Sequence, residues 1–370
     1  MTKYLNPGNT KTVAEFVAIA SPGDTYIFSA GRYTDADDMI VIDGLNGTAD
    51  NPITFQARGQ VILDGEGVTK PIFLDNCSHI IVDGFDACNS SGSVAYGTSC
   101  DDCVIRNTMA WNAHEGNYTI FSFHSGNRNQ FIDCAGFGTA RKIFTCSQGG
   151  NDTTFTRCFG RWERCISIGP KMAYSMSYNS SGTRLDDCIG MFDARMPKEY
   201  YLLDNDGITE YVPQTLMADY EIDQPFGIIS ADANTGDADV IATRCLAYSK
   251  SLSNPSTILG GFFTSAMDGM SIQDCVSAII DDVGIIKPFY LNTSNDDAYT
   301  NNIASGLISI GGGGADYINP YWGGTGIDGV VATINALRVS WQSSPMLDRI
   351  REQAGVVIDD IFVDVLANMP

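Results

Sequence analysis

A short β-rich run that ends in a polar residue and then Cys, Asn or Gly keeps returning along this chain. It reads Ile80-Ile81-Val82-Asp83-Gly84, Cys103-Val104-Ile105-Arg106-Asn107, Gln130-Phe131-Ile132-Asp133-Cys134 and Thr154-Phe155-Thr156-Arg157-Cys158. It continues as Arg184-Leu185-Asp186-Asp187-Cys188, Ile241-Ala242-Thr243-Arg244-Cys245, Ser271-Ile272-Gln273-Asp274-Cys275 and Ile303-Ala304-Ser305-Gly306. Most intervals are about 23 to 31 residues, and the step from Cys188 to Cys245 is about two of them. A period of that length marks a solenoid. One strand, a turn and a return within it make one coil of a parallel β-helix. The expected fold class is all-β: a right-handed parallel β-helix with an N-terminal helical cap and a distinct C-terminal segment. The 38 glycines, with many Asn, Asp, Ser and Thr residues, suit short strands and frequent turns.

The same repeat gives the 11 cysteines a reading. Cys134, Cys158, Cys188, Cys245 and Cys275 hold equivalent places, so they stack along one internal line. Neighbouring coils lie roughly 4.8 Å apart, wider than the Cβ separation of about 3.8 Å that a disulfide prefers. A ladder of free thiols, acting as small buried apolar groups, is therefore favoured over a ladder of disulfides. Cys100 and Cys103 form a lone C-x-x-C with no second pair and no His at ligand spacing, which does not make a zinc site.

Three parts follow from the pattern. Residues 1–22 read as a cap: Thr12 and Glu15 have capping-box spacing ahead of Phe16, Val17 and Ile19. Residues 23–315 are the β-helix. Within them, residues 196–226 depart from the period with Pro197, Tyr200, Tyr201 and Tyr211, and Gly311 to Gly314 form a break. Residues 316–370 are a capping or assembly segment. There Ser344-Pro345 starts a helix, Gly355 stops it, and Val356 to Leu366 reads as a final strand.

The first coils carry a resemblance. The stretches Gly23-Asp24-Thr25-Tyr26-Ile27, Gly31-Arg32-Tyr33, Gly47 to Phe55 and Val61-Ile62-Leu63-Asp64-Gly65 resemble the opening of right-handed parallel β-helix proteins of the pectate-lyase-like superfamily. The alginate-lyase and chondroitinase-B-like branch is the most similar. The specific motifs cover residues 23–85, and generic rungs extend to about residue 310. The resemblance implies the fold; in that superfamily the opening motif is structural and leaves the activity open.

Charge excludes some partners. A net charge of −22 disfavours nucleic acid and anionic membranes, since phosphate binding needs a basic surface. No stretch approaches the roughly 18 apolar residues of a membrane span, so membrane insertion is not expected. Met1 to Gly8 lacks a basic-then-apolar pattern, so no secretory signal is read there.

One segment runs against the overall charge. Residues 128–171 hold seven basic residues, Arg128, Arg141, Lys142, Arg157, Arg161, Arg164 and Lys171, against Asp133, Asp152 and Glu163. The segment reads in two ways. As a cleft for an acidic saccharide, it supplies cations to neutralise a uronate carboxylate and a base to remove the α-proton. The resemblance nominates Lys142 as base and Arg161 or Arg164 as neutraliser. The same basic and aromatic neighbourhood offers Arg141, Trp111, Trp162, Tyr118 and His114 as glycan-binding candidates. In the second reading these cations pair with acids on adjacent coils. The family's calcium-binding Asn and Glu constellation finds no matching spacing, so no metal or cofactor is expected, with calcium reserved for the lyase case. His79, His114 and His124 give no triad spacing. Asp186-Asp187, Asp281-Asp282 and Asp359-Asp360 can each offer at most one carboxylate to a cleft, because strand neighbours point to opposite faces.

Two functions are carried forward. The first is a structural or adhesive virion protein of a bacteriophage, a capsid-surface decoration or spike subunit made in the host cytoplasm. It would assemble with itself as a homotrimer or with other virion proteins, and would contact surface polysaccharide. The alternative is a polysaccharide lyase or hydrolase acting extracellularly on an acidic polysaccharide.

Overall fold

The computed structural model describes residues 1–7, 12–163, 165, 172–178, 180–192, 227–232, 240–250, 260–265, 271–280, 287–292, 303–305, 308–310 and 327–368. Parallel strands stack coil on coil around an elongated core with three faces. The first face is a nine-stranded sheet running from Ile40–Asp43 and Ile72–Asp75, through Ala95–Asp101, Thr119–Asn127, Lys142–Asn151 and Met172–Ser177, to Lys287–Asn292. The second face holds short strands such as Val104–Arg106, Gln130–Ile132 and Thr154–Thr156. The third holds Met109–Trp111, Ala135–Phe137, Phe159–Trp162 and their successors. The long strand Ile53–Asp64 pairs with Ile80–Asp83 on the second face and Asp86–Cys88 on the third, joining them at one end.

Two tight corners explain why the repeat has its sequence form. Between the second and third faces the chain turns on one residue of positive φ, namely Gly84, Asn107, Asp133, Arg157, Asp187, Arg244 or Asp274. The next residue points inward: Phe85, Thr108, then Cys134, Cys158, Cys188, Cys245 and Cys275, all buried. The expected thiol ladder is therefore present, and all 11 cysteines are free and buried. Each of the five sulfurs donates to a carbonyl of the preceding coil, as Cys134 does to Ile105 O at 3.3 Å and Cys188 to Phe155 O at 3.4 Å. Burial is the largest influence on these thiols and opposes the thiolate.

The turn residues themselves point outward and alternate in charge. Arg157 forks onto Asp133 at 2.9 and 2.6 Å, and Arg244 onto Asp187 at 2.7 and 3.1 Å. At the corner between the first and second faces, Arg128 forks onto Asp102 at 2.8 and 2.7 Å. Two of the seven basic residues of 128–171, Arg128 and Arg157, are thus matched by carboxylates one coil away.

Aromatic rings fill the core in register. Phe121, Phe144 and Tyr174 stack at 4.7 and 5.0 Å between centroids. Opposite them Gly136, Gly160 and Gly190 lie in one column. A methyl at Gly136 would come within 2.6 Å of Ile143 Cγ2 and 3.2 Å of the Phe121 ring, so the core leaves room for nothing larger.

The N-terminal helix Val13–Val17 carries the expected capping box of Thr12 and Glu15, and it buries Val13 in the core beside the half-buried Phe16 and Val17. The C-terminal segment differs from expectation. Residues 358–367 form a helix, Ile358–Ala367, where a strand was expected, and a second helix spans Ile327–Gln342. Ile358, Ile361, Phe362 and Val365 recur at helical spacing and are buried. The helix start near Pro345 and the stop at Gly355, which has φ +65°, follow the sequence reading. These helices lie lengthwise along the outer side of the third face, over Met109, Phe137, Phe159, Ile189, Leu246 and Val276. The excursion at 196–226 and the Gly311–Gly314 break lie outside the described residues.

Candidate functional site

Because strand side chains alternate, Ser122 and His124, next to the inward Phe121 and Phe123, point off the first face. One outward column runs Phe73, Tyr96, Ser122, Thr145 and Ser175, and the next includes Thr98, His124 and Ser147. Their chemistry is unlike that of the apolar third face. Phe73 and Tyr96 stack at 5.4 Å and 4°. The His124 ring meets Tyr96 edge-on at 5.1 Å. Ser122 Oγ, His124 Nε2 and Ser177 Oγ are buried and make no hydrogen bond. Buried polar atoms without partners are uncommon and concentrate where function needs them.

The electrostatics of this face centre on His124. Burial, reinforced by the ammonium of Lys142, pulls its pKa down to about 4. The imidazole is neutral at neutral pH and presents Nε2 as a donor or acceptor. Burial also pushes the Tyr96 phenol up, so it stays protonated.

The sequence candidates divide between this face and elsewhere. Lys142 opens the strand Lys142–Asn151, opposite Thr119 and Met172, and its charge reaches His124. Tyr118, 39% exposed, and His114 sit at the corner leading into the same face, with their rings 5.6 Å apart. His114 Nδ1 is 2.6 Å from Glu115 O. Arg141 Nη1 donates to Asn117 Oδ1 at 2.6 Å, and burial lowers its pKa.

The others are committed to packing. Arg161 is 8% exposed; it binds Glu163, donates to Ala354 O at 2.6 Å and lies over the Phe137 ring, tying the C-terminal segment to the third face. It is not placed to neutralise a saccharide on the first face. Trp162 is 4% exposed, donates to Ala140 O at 2.9 Å and packs on Phe192, leaving no ring face for a sugar. Trp111 stacks on Phe137 at 5.6 Å beneath the C-terminal helices. Arg164 lies outside the described residues. Among the described residues no three His, Cys, Asp or Glu converge to hold a metal ion, so no step below is routed through calcium.

Sequence reading passed over Lys70, Phe73, Tyr96, Ser122 and Ser177, and it set His124 aside. Only stacking brings them together. For all but Lys70, which precedes its strand, the signal was strand parity, which puts them on the outward side once the inward positions are fixed.

No protein-family model matches the chain, and no curated protein matches it. Solved structures do. A pectate lyase, Pel9A, superposes with a TM-score of 0.56 at 12% identity, covering 83% of this chain and 79% of that one. The fold is shared with pectate-lyase-like parallel β-helix proteins. An alginate lyase from Paenibacillus sp. str. FPU-7 gives 0.54 at 12% identity, covering 83% and 97%. Identity this low carries the fold alone. These comparisons lend no support to a bacteriophage particle component.

Proposed function

We propose that the first face binds an acidic polysaccharide and cleaves it by β-elimination. The observation that carries this is the pair of buried, unpartnered atoms Ser122 Oγ and His124 Nε2, with Tyr96 against the His124 ring and the Lys142 charge reaching it; Ser177 Oγ lies two coils farther along the same face. The naming of the two neighbours as a pectate lyase and an alginate lyase supports it.

In this reading the Lys142 amine removes the proton α to a uronate carboxylate. The electron pair forms the new carbon–carbon double bond as the glycosidic C–O bond breaks, and the leaving oxygen takes a proton from water. The proton on Lys142 then returns to solvent. His124 stays neutral throughout and offers Nε2 as a hydrogen-bond partner for the charge that develops on the carboxylate. The Tyr96 ring gives the sugar an apolar face.

The test is incubation with polygalacturonate, alginate and chondroitin while following the ultraviolet absorbance of the unsaturated product. Activity that falls at least about a hundredfold in Lys142→Ala, the scale of a lost general base, supports the reading. An equal rate in that variant, or a saturated product from hydrolysis, contradicts it.

A further inference from the structure

Every ion-paired arginine so far described meets a carboxylate of its own chain, yet Lys70 does not. It lies over the Phe73 ring at 4.0 Å and the Tyr96 ring at 5.8 Å. Among the described residues it makes no salt bridge and donates no hydrogen bond. The aromatic pair holds the ammonium by cation–π attraction while leaving its hydrogens to a ligand. Tyr118 closes one side: a methyl at Gly92 would touch Lys70 Cε at 3.4 Å and the Tyr118 ring at 3.5 Å.

Register adds a second observation. Ile72 pairs with Ala95, Ala95 with Phe121, and Phe121 with Phe144. Two residues earlier on these rungs stand Lys70, Ser93, Thr119 and Lys142. The two lysines therefore share one edge of the first face, three coils apart, or about 14 Å at the usual strand spacing. Ser93 and Thr119 between them are uncharged and hydrogen-bonded to each other at 3.1 Å.

We propose that Lys70, with Phe73, Tyr96 and Tyr118, is a second carboxylate-binding subsite, so that one polyanionic strand lies along the solenoid axis and is held at both lysines. This rests on the reading of Lys142 as the reacting end of the first face. The separation is too great for one sugar to bridge, so the subsite selects polymers over short fragments and carboxylated over methyl-esterified residues.

Affinity electrophoresis of the full chain in gels containing polygalacturonate, alginate, methyl-esterified pectin or dextran tests this without requiring turnover. Retardation by at least one acidic polymer, weakened about tenfold in Lys70→Ala and in Tyr96→Ala but retained in Lys70→Arg, is the expected result. Circular dichroism on each variant confirms that it is folded. Unchanged retardation in folded Lys70→Ala, equal retardation by dextran, or no retardation of the wild type by any acidic polymer overturns it. Binding that depends on Lys70 without any cleavage would keep the subsite and remove the β-elimination reading.

Discussion

Trp341 Nε1 donates to the backbone oxygen of Asp187 at 2.9 Å, 154 residues away in sequence, while Ser340 Oγ donates to the Asp187 carboxylate at 2.8 Å. The same carboxylate takes the Arg244 fork from the next coil. One corner of the β-helix is thus the anchor for the helix Ile327–Gln342. Farther along, Arg349 clamps the carbonyl oxygens of Asn107 and Phe85 at 2.6 and 2.8 Å. The C-terminal segment is a strap along the third face.

Trp341 is 1% exposed, so its removal opens a large cavity under the strap. Trp341→Ala should cost about 3 to 5 kcal/mol. Trp341→Phe keeps most of the contact, loses the bond to Asp187 and should cost about 1 to 2 kcal/mol. Denaturant unfolding measures both, and limited proteolysis should cut the Ala variant first near the strap. Equal stability in all three proteins would contradict the anchor.

The thiol ladder makes a sharper statement. All 11 cysteines are buried and free, so the native protein should react with none of a thiol reagent's equivalents on the timescale of mixing and with all of them after denaturation. Cys158→Ala should cost about 1 to 2 kcal/mol through the small cavity left beside Phe131 O and Thr156 O. Native mass spectrometry showing disulfide-linked cysteines would refute the ladder.

The period, the inward cysteines and the capping box were legible because each is a local pattern repeated or spaced by a fixed rule. The cysteine column was read through only its five Cys members; Phe85 and Thr108 occupy the same place with different chemistry. The final helix was misread because Val356, Val357, Ile361, Val363 and Val365 are strand-favouring residues, while the buried positions among 358–365 follow a helical stripe. Lys142 was found from local charge. Lys70, Tyr96 and His124 sit 18 to 72 positions away in sequence and meet only through the register of stacked coils. Arg161 and Trp162 misled because their sequence neighbourhood gave no sign of the strap that covers the third face.

His124 should leave a pH signature in stability. Its pKa falls from an unfolded value near 6.5 to about 4 in the fold. Between those values the unfolded chain binds the extra proton, so stability is full above pH 6.5 and declines as pH falls toward 4. The loss from this group should be about 3 kcal/mol. Chemical denaturation at a series of pH values should show it, and His124→Asn should flatten that window. A variant that keeps the wild-type slope would assign the effect elsewhere.

The two lysines also predict a division of labour. Lys70→Ala should raise KM on polymer about tenfold with kcat little changed, whereas His124→Ala should lower kcat by about ten- to a hundredfold at an unchanged optimum of chain length. Initial rates over a range of polymer concentrations separate the two. Loss of kcat in Lys70→Ala would move that lysine into the reacting end.

The central claim is that the first face, with Lys142 at its reacting end, cleaves an acidic polysaccharide. The direct measurement is the appearance of unsaturated product from polygalacturonate, alginate and chondroitin, comparing wild type with Lys142→Ala at equal, verified folding. Product formed by the wild type from at least one of them, and abolished or reduced at least about a hundredfold in the variant, is the predicted result. A folded wild type that yields no unsaturated product from any acidic polymer, or a variant as active as the wild type, would contradict it.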